Sequence, residues 1–83
     1  MSKQHLCPVC GFKGLKEAPF NAANEPSFEI CSCCSFEFGY YGENSKIIFA
    51  EFRQRWIEAG TPWFVPKLKP KKWDHRKQLE NLK

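Results

Sequence analysis

"CSCCS", residues 31–35, decides how this chain folds: it places Cys31, Cys33 and Cys34 within four positions, and "CPVCG", residues 7–11, supplies Cys7 and Cys10. A tetrahedral ion takes four ligands, and five cysteines are on offer. Cys7 with Cys10 and Cys31 with Cys34 repeat one separation, C-x2-C, with twenty residues between the pairs. Each such turn presents two sulfurs to one ion, and the intervening loop returns the chain to it. Cys33 pairs with Cys31 only as C-x-C, and His5 lies two residues before Cys7. Either would spoil the match of two equal knuckles, so Cys33 is read as the spare thiol, a small, partly buried hydrophobe on the knuckle loop rather than a sensor.

Size makes a staple necessary. At 83 residues the chain forms one small domain, in which buried apolar area barely offsets the entropy lost on folding. Eight Phe, three Trp and two Tyr still mark it as a folding chain rather than a disordered tail. The N-terminus has no continuous apolar run and no window approaches a membrane span, so a cytoplasmic location is expected, with no membrane partner. Thiols stay reduced there, which favours metal ligation over disulfides. One structural zinc ion on Cys7, Cys10, Cys31 and Cys34 is therefore expected. It would supply roughly 10–16 kcal/mol of apparent free energy and leave no open position for Lewis-acid chemistry.

Working outward from the knuckles, "SFEIC" (27–31) and "SFEFGYYG" (35–42) alternate apolar and polar residues with the period of strands, Phe28, Ile30, Phe36, Phe38 and Tyr40 falling on the apolar positions. "KEAPFNAANEPSF" (16–28) is a loop rich in turn formers. From residue 45 the period changes. Ile48, Phe49, Phe52 and Trp56 form a helical stripe, Ser45 or Asn44 caps it and Gly60 ends it, which predicts a helix over about 46–59 carrying a Glu51–Arg55 pair on its surface. "TPWFVP" (61–66) runs extended, "KLKPKK" (67–72) is a solvated linker, and "DHRKQLENL" (74–82) makes a short last helix capped by Asp74. The expected fold is small α+β: a zinc ribbon of two knuckles with antiparallel β-hairpins, packed against one main helix. Residues 1–66 hold the ribbon and its packing helix, and 67–83 form a basic C-terminal tail.

Charge is divided accordingly. Residues 1–66 carry six Lys or Arg against seven Asp or Glu, whereas 67–83 carry seven against two. A nucleic-acid partner would engage Lys67, Lys69, Lys71, Lys72, Arg76 and Lys77, with Trp63, Phe64 and Trp73 beside them to stack on bases. Lysine runs are more often solvated faces, and those aromatics serve equally to clamp the tail. The expected partner is another protein. No catalytic constellation is present: His5 and His75 sit near the chain ends without a carboxylate partner, and Asp74 beside His75 is first a helix cap.

"CPVCGFKGL", "PSFEICSCCSFEFGY", a Trp-containing helix, "WF" at 63–64 with Pro66, and a late "WD…QL" together resemble the small bacterial cysteine-rich proteins of CPCC type. The resemblance covers nearly the whole chain and implies a zinc-binding domain without a known reaction. Ser32 and Ser35 depart from that family's second knuckle, where Pro and a Gly or aromatic residue are usual. The paired C-x2-C knuckles among aromatics also resemble rubredoxins, which implies an iron-based electron carrier. There Gly11 fits the position after the second cysteine and Ser35 does not.

Overall fold

The structure is a computed structural model, and it describes residues 4–83. Two knuckles lie at its centre, the main helix packs on them, and the end of the chain folds back against both, Trp73 meeting Trp56 of the helix and Gln78 reaching Cys10. The main helix, α1, spans Lys46–Glu58. Ser45 Oγ accepts from the Ile48 N–H at 3.3 Å, satisfying one of the donors that a helix start leaves free. At the other end Gly60 takes φ +96°; its N–H donates to Ile57 O at 3.0 Å, and that of Thr61 to Trp56 O at 2.9 Å. This doubly bonded reversal with a left-handed glycine stops the helix where the apolar stripe ends. The extended segment after it lies along the second knuckle, with Phe64 N–H donating to Cys33 O and Val65 N–H to Ser32 O. A 3-10 turn follows at Pro66–Leu68; then a short second helix, α2, spans His75–Leu79 and continues as a 3-10 turn over Glu80–Leu82.

The β part of the expected fold is overturned. Among the described residues no strand forms; the backbone pairs only at isolated antiparallel bridges, His5 with Leu15, Phe20 with Pro26 and Ile30 with Glu37. The chain is two short helices and loops, not an α+β zinc ribbon with β-hairpins. The local cause lies in the residues flanking each bridge. Beyond Ile30 and Glu37 the ladder is broken on one side by Phe28 at φ +62° and on the other by a turn in which Tyr40 N–H donates to Glu37 O at 3.2 Å. The Phe20 and Pro26 bridge is closed by a tight loop in which Asn21 Oδ1 accepts from the N–H groups of Ala23 and Glu25. Pro26 has no N–H to extend it.

Register corrects the alternation as well. Residues directly opposite in a bridge share a face, so Ile30 points the same way as Glu37. Because Phe36 and Phe38 are fully buried, that face is outward: Ile30 is exposed, and Phe28 is 64% exposed. Period-two patterning holds for Phe36 and Phe38 but not for Phe28, Ile30 or Tyr40.

Phe36 is the hub of the core. Its ring lies 5.0–5.6 Å from those of Phe38, Tyr41, Phe49 and Phe52, so the helix stripe closes directly on the second knuckle. Burying Phe36 and Phe38 completely is worth roughly 1.5–3 kcal/mol each. A second aromatic run, Phe12, Trp63, Trp73 and Trp56, ties the last quarter of the chain to the rest through edge contacts at 5.3–6.1 Å. The Glu51–Arg55 pair does not form; among the described residues the one ion pair is Asp74 with Arg76. No helix among them is long and apolar enough to cross a membrane.

Candidate metal centre

Each knuckle is built by the same two backbone hydrogen bonds. Cys7 N–H donates to Phe12 O at 2.7 Å, and Gly11 N–H to Cys7 O at 3.0 Å. In the second knuckle Cys31 N–H donates to Phe36 O and Ser35 N–H to Cys31 O, both at 3.0 Å. The residue after the second cysteine takes positive φ in both, +83° at Gly11 and +69° at Ser35. The serine thus adopts the turn that glycine makes in the first knuckle, and the two units are alike despite Ser32 and Ser35. The signal for this is the shared C-x2-C-(G/S)-F spacing, with Phe12 and Phe36 as the closing acceptors.

The knuckles face each other and bring Cys7, Cys10, Cys31 and Cys34 together, with the four Sγ atoms within 4.8 Å of one another. Cys7 Sγ lies 3.8 Å from Cys34 Sγ, and Cys10 Sγ 3.7 Å from Cys31 Sγ. All five thiols are free, and these separations far exceed the about 2.05 Å of a disulfide. The cluster is sealed, its cysteines no more than 2% exposed. In so dry a space the sulfurs hydrogen-bond chiefly to each other, which drives their acidities apart. Pairing with Cys10 pulls the Cys31 thiol well below the ordinary range, while the same pairing with Cys31, followed by Cys33 and Cys34, pushes Cys10 far above it. A cation among them would stabilise the thiolate form of all four.

Cys33 and His5 are not in the cluster. Cys33 is fully buried, and its sulfur accepts from the Gln78 side-chain amide at 3.3 Å. His5 pairs through its backbone with Leu15.

Three side chains hold the cluster in place that the sequence pattern did not single out. Gln78 of α2 donates from Nε2 to Cys10 O at 3.0 Å as well as to Cys33, while its Oε1 accepts from Trp73 Nε1 at 2.8 Å. Asn81 Nδ2 donates to Gly11 O at 2.9 Å. Arg53 of α1 also reaches the first knuckle, donating to Pro8 O at 3.0 Å and to Val9 O. A signal for Arg53 existed: it is four residues after Phe49 and three before Trp56, on the apolar stripe, where an arginine must find acceptors. Gln78 lies in a five-residue helix and Asn81 in the three-residue 3-10 turn after it, both too short for periodicity to distinguish inner from outer positions.

Comparison with known proteins adds relatives but no function. The chain is 31% identical over 74 residues to Uncharacterized protein YoaQ of Bacillus subtilis (strain 168), covering 72% of this chain and 63% of the relative. It is 33% identical over 75 residues to Uncharacterized protein YozI of the same bacterium, covering 72% and 62%. It spans less than two thirds of the length of these curated relatives. No known protein family and no solved structure matches the chain, so the resemblance to CPCC-type proteins gains no support.

Proposed function

We propose that this chain is a non-catalytic binding module whose fold is organised by one structural zinc ion held by Cys7, Cys10, Cys31 and Cys34. The observation that carries this reading is the spacing of the sulfurs. Four thiolates at the usual zinc–sulfur distance of about 2.3 Å form a tetrahedron with edges of about 3.8 Å; two of the pairs lie at 3.7 and 3.8 Å, and all lie within 4.8 Å. Little movement would be needed to accept the ion. When bound, a divalent cation would neutralise part of the thiolate charge and cross-link two segments twenty residues apart. Four thiolates with a divalent ion still carry two negative charges, and Arg53 places a cation against the first knuckle, where it offsets part of them.

A four-sulfur set in a sealed core offers no coordination position to a substrate, which is why the reading is structural rather than enzymatic. Elemental analysis of the purified protein should find one zinc per chain, and its removal should abolish the cooperative thermal transition. A melting curve indifferent to chelation would remove the structural role. A coloured, iron-loaded product would replace zinc with iron and favour electron transfer instead.

A further inference from the structure

We propose that the groove between the first knuckle and the end of the chain binds a phosphate-bearing nucleobase, presented either by a free nucleotide or by a single strand. This rests on the binding-module reading but not on which metal occupies the cysteines. The groove has a volume of about 980 Å³. One wall is aromatic. Phe12 meets Trp63 edge-on at 5.6 Å, and Trp63 meets Trp73 edge-on at 5.3 Å. All three rings are only half-buried and line the opening. Lys69 Nζ already lies over a face of Trp73 at 5.5 Å, and each edge-on contact covers at most one face of a ring; a remaining ring face is what a planar base would stack on.

The rim supplies positive charge that the protein does not itself neutralise. Lys13 and Lys16 reach it from the turn after the first knuckle, Lys72 and Lys77 from the end of the chain. All four are exposed, and none is in an ion pair among the described residues. The two acidic residues that line the groove are occupied. Glu29 accepts from the backbone N–H groups of Lys16 and Glu17, each at 3.0 Å, and Asp74 accepts from the Arg76 N–H at 2.9 Å and pairs with its guanidinium. Four ammonium groups around an aromatic wall suit an anionic, planar ligand.

An acidic peptide is disfavoured by the same inventory. An extended peptide needs partners for its own N–H and C=O groups. Of the three side-chain amides that line the groove, two are already spent, Gln78 on Cys10, Cys33 and Trp73, and Asn81 on Gly11, which leaves Gln4 alone to serve a peptide backbone. A nucleobase with its phosphate makes fewer such demands.

The test uses the full, metal-loaded chain, with metal content measured on the same samples so that loss of the metal is told apart from loss of the groove. Adenosine 5′-monophosphate and a short labelled single strand are titrated at low salt, following tryptophan fluorescence and anisotropy. Quenching by at least one of them is expected; competition by the free nucleotide against the strand identifies the nucleotide as sufficient, and its failure to compete identifies the strand. In the double variant Lys13→Gln with Lys72→Gln, strand affinity should fall by about tenfold or more, and the slope of log K against log salt should shrink by about 1.4. Both lysines are exposed, so fold and metal content should be unchanged. Absence of binding by both probes overturns the proposal, as does wild-type affinity in the double variant. So does displacement of the strand by an oligoglutamate peptide at lower concentration than by the nucleotide.

Discussion

Gly11 and Ser35 occupy the same place in two equivalent turns: each follows the second cysteine of its knuckle, each has positive φ, and each N–H donates at 3.0 Å to the first cysteine's carbonyl. Only one of them is a residue that adopts this conformation without cost. Ser35→Gly should therefore stabilise the protein, by about 0.5–1 kcal/mol after the entropy that glycine adds to the unfolded chain. Gly11→Ala should destabilise it by roughly 1–3 kcal/mol. It meets the strained φ, and its Cβ would overlap the Gln78 backbone carbonyl of α2. Urea denaturation of the three proteins measures both signs, and a neutral Gly11→Ala would show that α2 does not pack on the knuckle in solution.

Cys33→Ser should leave one metal ion bound, whereas Cys34→Ser should lose it. The two cysteines are neighbours, both buried, yet only Cys34 has its sulfur in the four-sulfur cluster. Cys33 instead lies under the Gln78 amide, so its replacement should cost about 1 kcal/mol of stability at most, without changing stoichiometry. Metal released to a chromophoric chelator counts the ions, and an equal loss in both variants would mean that the ligand set is misassigned.

What could be read from the sequence was set by how local the determining physics is. Two C-x2-C pairs draw their chemistry from a separation of three positions, so the four-sulfur cluster was legible. The helix was legible for the same reason: Ser45, the stripe Ile48–Phe49–Phe52–Trp56 and Gly60 follow one another at spacings of about one turn. The absence of strands was not legible. It depends on Phe28 taking a left-handed conformation that its bulk argues against, with its ring lying over Gly39 and beside Pro26. Nor was the role of Gln78, whose partners lie 68 and 45 residues away.

Gln78→Ala should be among the most damaging exposed-helix substitutions, costing roughly 1–3 kcal/mol while keeping the metal. It removes two donated bonds to the knuckles and one accepted from Trp73, leaving the Cys10 carbonyl and the Trp73 indole N–H to find other partners. Because Trp73 also packs on Trp56 and Trp63, loosening it should shift the tryptophan emission to longer wavelength. Gln78→Glu keeps the acceptor for Trp73 but turns a carboxylate oxygen onto the Cys10 carbonyl and the Cys33 sulfur, so it should cost at least as much as alanine. Equal stability of all three would mean that α2 is held by its apolar contacts alone.

Acidification should release the metal and unfold the chain in one step. Metal ligation needs thiolates, so each proton taken up competes with the ion, and affinity falls as pH falls. In the metal-free chain Cys31 gives the same sign: its thiol is held below the ordinary range, chiefly by Cys10, so the stability it contributes is present above its unfolded-state value and is lost as pH falls toward its lowered native one. Asp74 acts in the same direction at lower pH. The Arg76 backbone N–H, then the Arg76 side chain, hold its carboxyl below its ordinary value, and protonation would weaken the cap of α2 that brings Gln78 to the knuckles. Metal release and loss of helical circular dichroism, followed together from neutral to acidic pH, should coincide. Asp74→Asn, which can still accept from the Arg76 N–H, should leave the metal-release midpoint unchanged and flatten only the acidic end of the curve. A helix signal that outlasts metal release by more than a pH unit would show that the fold does not depend on the cysteine cross-link.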